Sequence, residues 1–347
     1  MIKIILQIEI LLLIISLIGC GEDNTEKSTP NEDPKELVTT TPSRVVVTTS
    51  HSIQDAINKL SKSGGTLFLK AGIYKINSGI HINRSNVSII GEQGVIIKLK
   101  NGVNQPVILI GTDIATPTNA NLIENISISN LEINGNQLAQ TSEIDPARPH
   151  IRNNGIDIRR VNNLWIDNVD IHNARSGGIV ASWKSSNIFI SKIKTHDNYF
   201  DGIALYDSRN IIVSNFISNN NDHGAGISLD NKLKNITFSN GIIQRNSDVG
   251  IFVRDSNNIL FSSIVIDNNG NHGVFMSHND NDPATTGVNN ILFTGCSFTN
   301  NAGSGLQLKS LSSNKNAVTG SLFNNNKDGC IIYDKSSLSE GANICYN

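Results

Sequence analysis

From residue 155 onward the hydrophobic positions come in short alternating bursts, with no segment at helical intervals between them. One phrase returns as Gly155-Ile-Asp-Ile-Arg, Gly178-Ile-Val-Ala-Ser, Gly202-Ile-Ala-Leu-Tyr, Gly226-Ile-Ser-Leu-Asp, Gly250-Ile-Phe-Val-Arg, Gly273-Val-Phe-Met-Ser, Gly305-Leu-Gln-Leu-Lys and Gly329-Cys-Ile-Ile-Tyr. The alternation is the two-residue period of a strand with one buried face. The glycines recur at intervals of 23, 24, 24, 24, 23, 32 and 24 residues, a fixed period that marks stacked coils.

About eight residues after most of these glycines a second apolar phrase opens on asparagine: Asn163, Asn187, Asn210, Asn235, Asn258 and Asn290. A third apolar pair follows, as in Val169/Ile171, Phe216/Ser218, Ile264/Ile266 and Cys296/Phe298. Three short strands per coil predict an all-β, single-chain parallel β-helix of about ten or eleven coils, each pairing with its neighbours. The asparagines are expected to stack as an amide ladder at an inside corner.

Before the repeat, Ser52–Leu60 carries apolar residues at helical spacing and ends ahead of Gly64-Gly65, predicting a short amphipathic helix. Thr66–Tyr74 and Asn86–Gly91 then read as strands. This order resembles the N-terminus of pectate-lyase-like right-handed β-helix enzymes, in which the helix caps the stack. A cap is physically required, because an open first coil exposes unpaired backbone.

Residues 1–19 hold one lysine, Lys3, and an apolar run from Ile10 to Ile18 that is short for a membrane span. The run ends in Leu17-Ile18-Gly19-Cys20, which resembles the lipobox of bacterial lipoproteins. That resemblance implies cleavage before Cys20, lipidation of its thiol, and an anchored location in the bacterial envelope, at the outer membrane or cell surface. Residues 20–43 are rich in Glu, Asp, Thr and Pro and read as a disordered tether, leaving 44–347 as the β-helix domain, expected to be monomeric. Cys296 falls at a core position, and Cys330 and Cys345 are candidates for a disulfide across the last coil. With a net charge of −2, the chain lacks the basic face that a nucleic-acid partner needs.

Three stretches break the period: Thr112–Asn121, Gln137–Asn153 and His278–Gly287. Insertions in repeat proteins tend to gather on one face as a binding surface. The second carries Arg148, His150 and Arg152. The third carries His278, and its Asp280 and Asp282 are candidate calcium ligands, against the simpler reading of a solvated turn.

With the first and third residues of each phrase inward, the second and fourth form outward ladders. These collect Asp157, Arg159, Tyr206, Asp230, Arg254, Phe252 and Phe275, with Asp201, His223 and His272 near the glycines and Lys184 and Asp207 just after the phrase. Cations pair carboxylates and rings offer flat apolar faces, so the mixture suits an acidic, uronic-acid polysaccharide. Lyase chemistry needs a cation at the carboxylate, a base for the C5 proton and an acid for the leaving oxygen. Arg254, His223 or His272, and Tyr206 fit those roles, with Asp157, Arg159, Lys184, Asp201, Asp207, Phe252, Phe275 and His278 holding substrate. Glycoside hydrolysis would instead set Asp230 against Asp207 or Asp201. A non-catalytic glycan- or protein-binding β-helix is the competing class.

Asp201-Gly-Ile, Asn220-Asn-Asp222-His223-Gly and Val249-Gly-Ile resemble coils of the mannuronan C5-epimerases, which act on alginate. The resemblance implies substrate-holding roles for Asp201 and His223. The family's catalytic Tyr-x-Phe-Asp-Pro-His stretch is absent; its nearest counterparts are Gly155–Arg159, with arginine where histidine belongs, and Tyr199-Phe200-Asp201 without the Pro-His.

Overall fold

In the computed structural model, which describes residues 43–279, 285–309, 313–333 and 338–346, the chain winds into a parallel β-solenoid of about 12 turns. That slightly exceeds the ten or eleven expected; the first turns are built from strands such as Arg44–Val47, Gly65–Leu69 and Gly72–Ile76. Residues 1–42, and with them Cys20 and the tether, lie outside the described residues, as do Asp280 and Asp282.

The glycine phrases form one sheet of ten strands, running from Ile80–Ile82 through Ile156–Arg159, Ile203–Tyr206 and Ile251–Arg254 to Ile331–Tyr333. The alternation holds: Ile156, Ile158, Ile203, Leu205, Ile251 and Val253 are fully buried. The second and third phrases, expected as separate strands, are continuous in the central coils, as in Val161–His172, Ser186–His196 and Arg209–Asn219. They bend at a left-handed residue, Asn168, Lys192 or Asn215, without losing their pairing to the next coil.

The core between the sheets is aliphatic with an aromatic stack. Phe238, Phe261 and Phe293 lie ring on ring at centroid distances of 5.3 and 4.5 Å. Where Phe216 enters this layer the residue above it is Gly241, and a Cβ there would lie 2.3 Å from the ring.

The asparagine ladder is corrected by the structure. Asn163, Asn187, Asn210, Asn235 and Asn258 sit at an outside corner, in the left-handed region that asparagine tolerates. Their amides do stack, as Asn235 to Asn210 at 3.0 Å and Asn258 to Asn235 at 3.2 Å. The inside ladder is a different set: Asn198, Asn221, Asn246, Asn269, Asn301 and Asn326, all buried, joined Nδ2 to Oδ1 at 2.8–3.1 Å. This ladder explains the repeated glycine. At Gly202 a Cβ would lie 2.7 Å from the Asn221 amide nitrogen and 2.0 Å from Ser218 Oγ.

At the N-terminus the helix Ile53–Lys59 is capped by the Ser52 hydroxyl, which accepts from Asp55 N, and it buries Ile53, Ala56 and Ile57 on the first coil. Gln54 completes the seal by accepting from His81 N at 2.7 Å and donating to His81 O at 3.2 Å, satisfying the edge strand's backbone. At the other end Cys330 and Cys345 are disulfide-bonded, and Cys296 is buried. The last coil slips by one residue: Leu306 pairs with Ile331, so Cys330 stands where Gly305 stands a coil earlier. The outward ladders accordingly end on Ile332 beside Gln307, not on Ile331. Gly329 instead makes a left-handed turn, at φ 99°.

Candidate functional site

The outward face of the phrase sheet forms the floor of a groove of about 700 Å³ over the coils that begin at Gly155, Gly178 and Gly202. Asp157 and Arg159 lie on the first strand, Val180 and Ser182 on the second, and Tyr206 on the third.

One wall is the insertion Gln137–Asn153, whose strands Ile144–Asp145 and Arg148–Arg152 pair antiparallel. Arg148 binds Asp145 through Nε at 2.8 Å and reaches Asp113 at 3.3 Å. His150 Nε2 donates to the Asp113 carbonyl at 2.7 Å. Arg159 donates to the carbonyls of Thr112 and Ile114 at 3.1 and 2.9 Å, tying the first insertion to the floor. The opposite wall consists of the coil tips Trp183-Lys184, Asp207 and Asn231-Lys232.

The groove shifts the proton affinity of its acids. Burial raises the Asp157 carboxyl to about 7, opposed by Arg159, Arg148 and a hydrogen bond with Asn154. Tyr206 is pushed up to about 12, mainly by burial and further by the nearby carboxylates of Asp201 and Asp230, against a hydrogen bond with Ser228. Its phenol therefore stays protonated at neutral pH. Asp207 is also raised by burial, with Lys184, Lys232 and Arg160 pulling the other way.

The remaining residues singled out from the sequence lie along the same solenoid but outside the lining of this groove. Arg254 donates to Asp230 through Nε at 3.0 Å, and its guanidinium stands 5.5 Å over the Phe252 ring. Phe252 and Phe275 follow on adjacent coils, 6.1 Å apart, and His272 stacks on Phe275 at 5.8 Å. His272 Nδ1 accepts from Ser304 N at 2.9 Å, and burial lowers its pKa. Asp201 accepts from Ala225 N at 2.8 Å, with its carboxyl raised by burial to about 6. His223 is half-exposed at the corner, stacked at 4.3 Å on Tyr199, and the Arg175 guanidinium lies 4.1 Å from the centre of the Tyr199 ring. His278 follows the strand Val274–Ser277. Asn154, Asn231 and Lys232 line the groove without having been singled out from the sequence. Among the described residues no three His, Cys, Asp or Glu side chains converge to hold a metal ion.

The family model for the right handed beta helix region matches residues 63–233 and 217–344. The chain belongs to this right-handed β-helix family. By sequence it is similar to mannuronan C5-epimerase AlgE2 of Azotobacter vinelandii, 25% identical over 219 residues, which cover 58% of this chain and 21% of that enzyme. The chain thus spans about a fifth of the length of that relative. By fold it is similar to the A-module of mannuronan C-5 epimerase AlgE4 of A. vinelandii, with a TM-score of 0.61 and 16% identity over 84% of this chain and 88% of the module. It is also similar to PfbA, a surface adhesin of Streptococcus pneumoniae, with a TM-score of 0.53 and 16% identity over 83% and 86% of the two chains. At such identities these likenesses establish the shared solenoid, which carries both enzymes and binding proteins.

Proposed function

We propose that this groove binds an acidic, uronic-acid polysaccharide and removes the C5 proton of one sugar, with β-elimination as the outcome. The observation that carries the reading is Tyr206, a phenol held protonated by burial on the floor of a groove whose walls carry Arg152, Lys184 and Lys232. The cations balance the substrate carboxylate, and Asp157, about half protonated near pH 7, shares its proton with that carboxylate instead of repelling it. Both effects stabilise the charge that moves onto the carboxylate when C5 is deprotonated. His150 Nδ1 accepts the C5 proton. The electron pair of the C5–H bond becomes the C4=C5 double bond, the C4–O4 bond breaks, and Tyr206 protonates the departing oxygen.

Epimerisation is the second reading, favoured by the sequence likeness to mannuronan C5-epimerases. It shares the first step, but the proton returns to the opposite face of C5 and the chain stays intact. Incubation with uronic-acid polymers in D2O separates the two. Elimination gives ultraviolet absorbance from the new double bond, epimerisation gives deuterium at C5 without it, and neither signal on any uronate polymer overturns both.

The groove face supports a location in the cell envelope, where such polymers are met, and Cys20 in its lipobox-like setting is the proposed anchor. Radiolabelled palmitate incorporated by the wild type and lost in Cys20→Ala supports the anchor; equal labelling of both contradicts it. No helix among the described residues is long and apolar enough to cross a membrane.

A further inference from the structure

The distance from the phrase glycine to the corner asparagine alternates along the central coils. It is eight residues from Gly155 to Asn163, nine from Gly178 to Asn187, eight from Gly202 to Asn210, nine from Gly226 to Asn235 and eight from Gly250 to Asn258. The additional residue falls at the tip of the coil. Coils with eight turn on one left-handed residue, Arg160, Asp207 or Asp255, at φ 63°, 40° and 44°. Coils with nine turn on two, Trp183-Lys184 at 59° and 60°, and Asn231-Lys232 at 60° and 63°. Left-handed tryptophan and lysine are sterically disfavoured, and such backbone persists where its surroundings enforce it, commonly at functional sites.

The tips stack in register, Lys184 N to Asp207 O at 2.6 Å, Asp207 N to Asn231 O at 2.9 Å and Lys232 N to Asp255 O at 2.7 Å. One rim of the groove therefore carries Lys184, Asp207 and Lys232 on successive coils. Among the described residues neither lysine has an ion-pair partner, although Asp207 lies between them. With one strand spacing per coil, the two lysine-bearing tips are about 10 Å apart along the solenoid axis. An extended pyranose chain laid in the groove advances by close to one coil per sugar, so each lysine meets every second sugar and Asp207 meets the one between.

We propose, on the basis of the polysaccharide reading above, that Lys184 and Lys232 read carboxylates carried by every second sugar along one edge of the bound chain. Asp207 faces the hydroxyls of the intervening sugar and disfavours a carboxylate there. The favoured substrate class is a chain presenting one charge per disaccharide to this rim, rather than one per sugar.

Binding, not turnover, tests the rule, so that it can fail while the catalytic reading stands. The probes are hyaluronan, with a carboxylate on every second sugar, and polygalacturonate, with one on each, titrated calorimetrically at one fixed ionic strength. The variants are Lys184→Asn, Lys232→Asn and Asp207→Asn, because asparagine accepts the left-handed backbone of these tips. The expected result is hyaluronan bound more tightly by the wild type, with each lysine variant losing about threefold in affinity, the scale of one exposed ion pair. Asp207→Asn should tighten polygalacturonate by a similar factor and change hyaluronan by less, since the amide still bonds to the sugar hydroxyls. The rule is overturned if the lysine variants bind both polymers as the wild type does, if Asp207→Asn shifts both equally, or if the wild type binds neither. In each case deuterium incorporation at C5, measured separately, decides whether the catalytic reading survives.

Discussion

Arg254 and Asp230, on adjacent coils of the phrase sheet, are joined by a donation from Arg254 Nε to Asp230 Oδ2 at 3.0 Å, with a second, shorter contact from Nη2. Asp230 is almost wholly buried while the arginine is about a third exposed, so the guanidinium is what neutralises the carboxylate. Asp230 also stands beside Tyr206 in the strand register and helps to keep that phenol protonated.

Arg254→Ala is therefore expected to act first on stability. It leaves a buried carboxylate without its partner, a loss on the order of 1–3 kcal/mol. Urea denaturation reads it directly. An unchanged midpoint, together with a large loss of polymer affinity, would show that Arg254 serves substrate and not Asp230.

Asp157 gives a pH signature. Its carboxyl titrates at about 7 in the folded protein, well above the ordinary range. The folded chain thus keeps a proton that the unfolded chain has released above pH about 4. This group's contribution to stability falls as pH rises from about 4 to about 7, then levels off. Asp157→Asn should match the wild type near pH 4 and exceed it by up to about 4 kcal/mol above pH 7. Parallel stability curves for the two proteins would contradict the burial-driven shift.

The two asparagine ladders should respond differently. Asn246 accepts from the Asn221 amide at 2.8 Å and donates to Asn269 at 3.0 Å inside the solenoid. Asn246→Ala strands both neighbours and should cost about 3 kcal/mol or more. Asn235, in the exposed ladder, loses water-accessible bonds and a left-handed preference, so Asn235→Ala should cost about 1 kcal/mol. Thermal unfolding of the pair checks the order, and equal losses would contradict the assignment of inside and outside.

Much of the fold was legible because the two-residue alternation and the fixed glycine period are local signals, and so were the helix on Ser52–Leu60 and the pairing of Cys330 with Cys345. The inside ladder was not, because asparagines crowd both corners and only packing tells them apart. Its signal was nevertheless present, as an asparagine four residues before most of the phrase glycines: Asn198 before Gly202, Asn246 before Gly250, Asn269 before Gly273 and Asn301 before Gly305, with Asn221 five before Gly226. The same spacing from Asn326 reaches Cys330 and exposes the one-residue slip of the last coil. On the outward face, residue types alone point to Asp230, Arg254 and Phe252. The walls of the groove come instead from the hairpin around Arg148–Arg152 and from the coil tips, whose positions depend on how insertions fold back on the stack.

The most direct test of the central claim follows H5 of the uronate residues by NMR, with the protein and acidic polymers in D2O, alongside Tyr206→Phe. The account predicts loss of the H5 signal with the wild type, accompanied by double-bond absorbance, and a rate at least about 100-fold lower in Tyr206→Phe for the elimination step. A polymer that binds in the groove yet keeps its H5 signal with the wild type would contradict it and leave the protein a binding module.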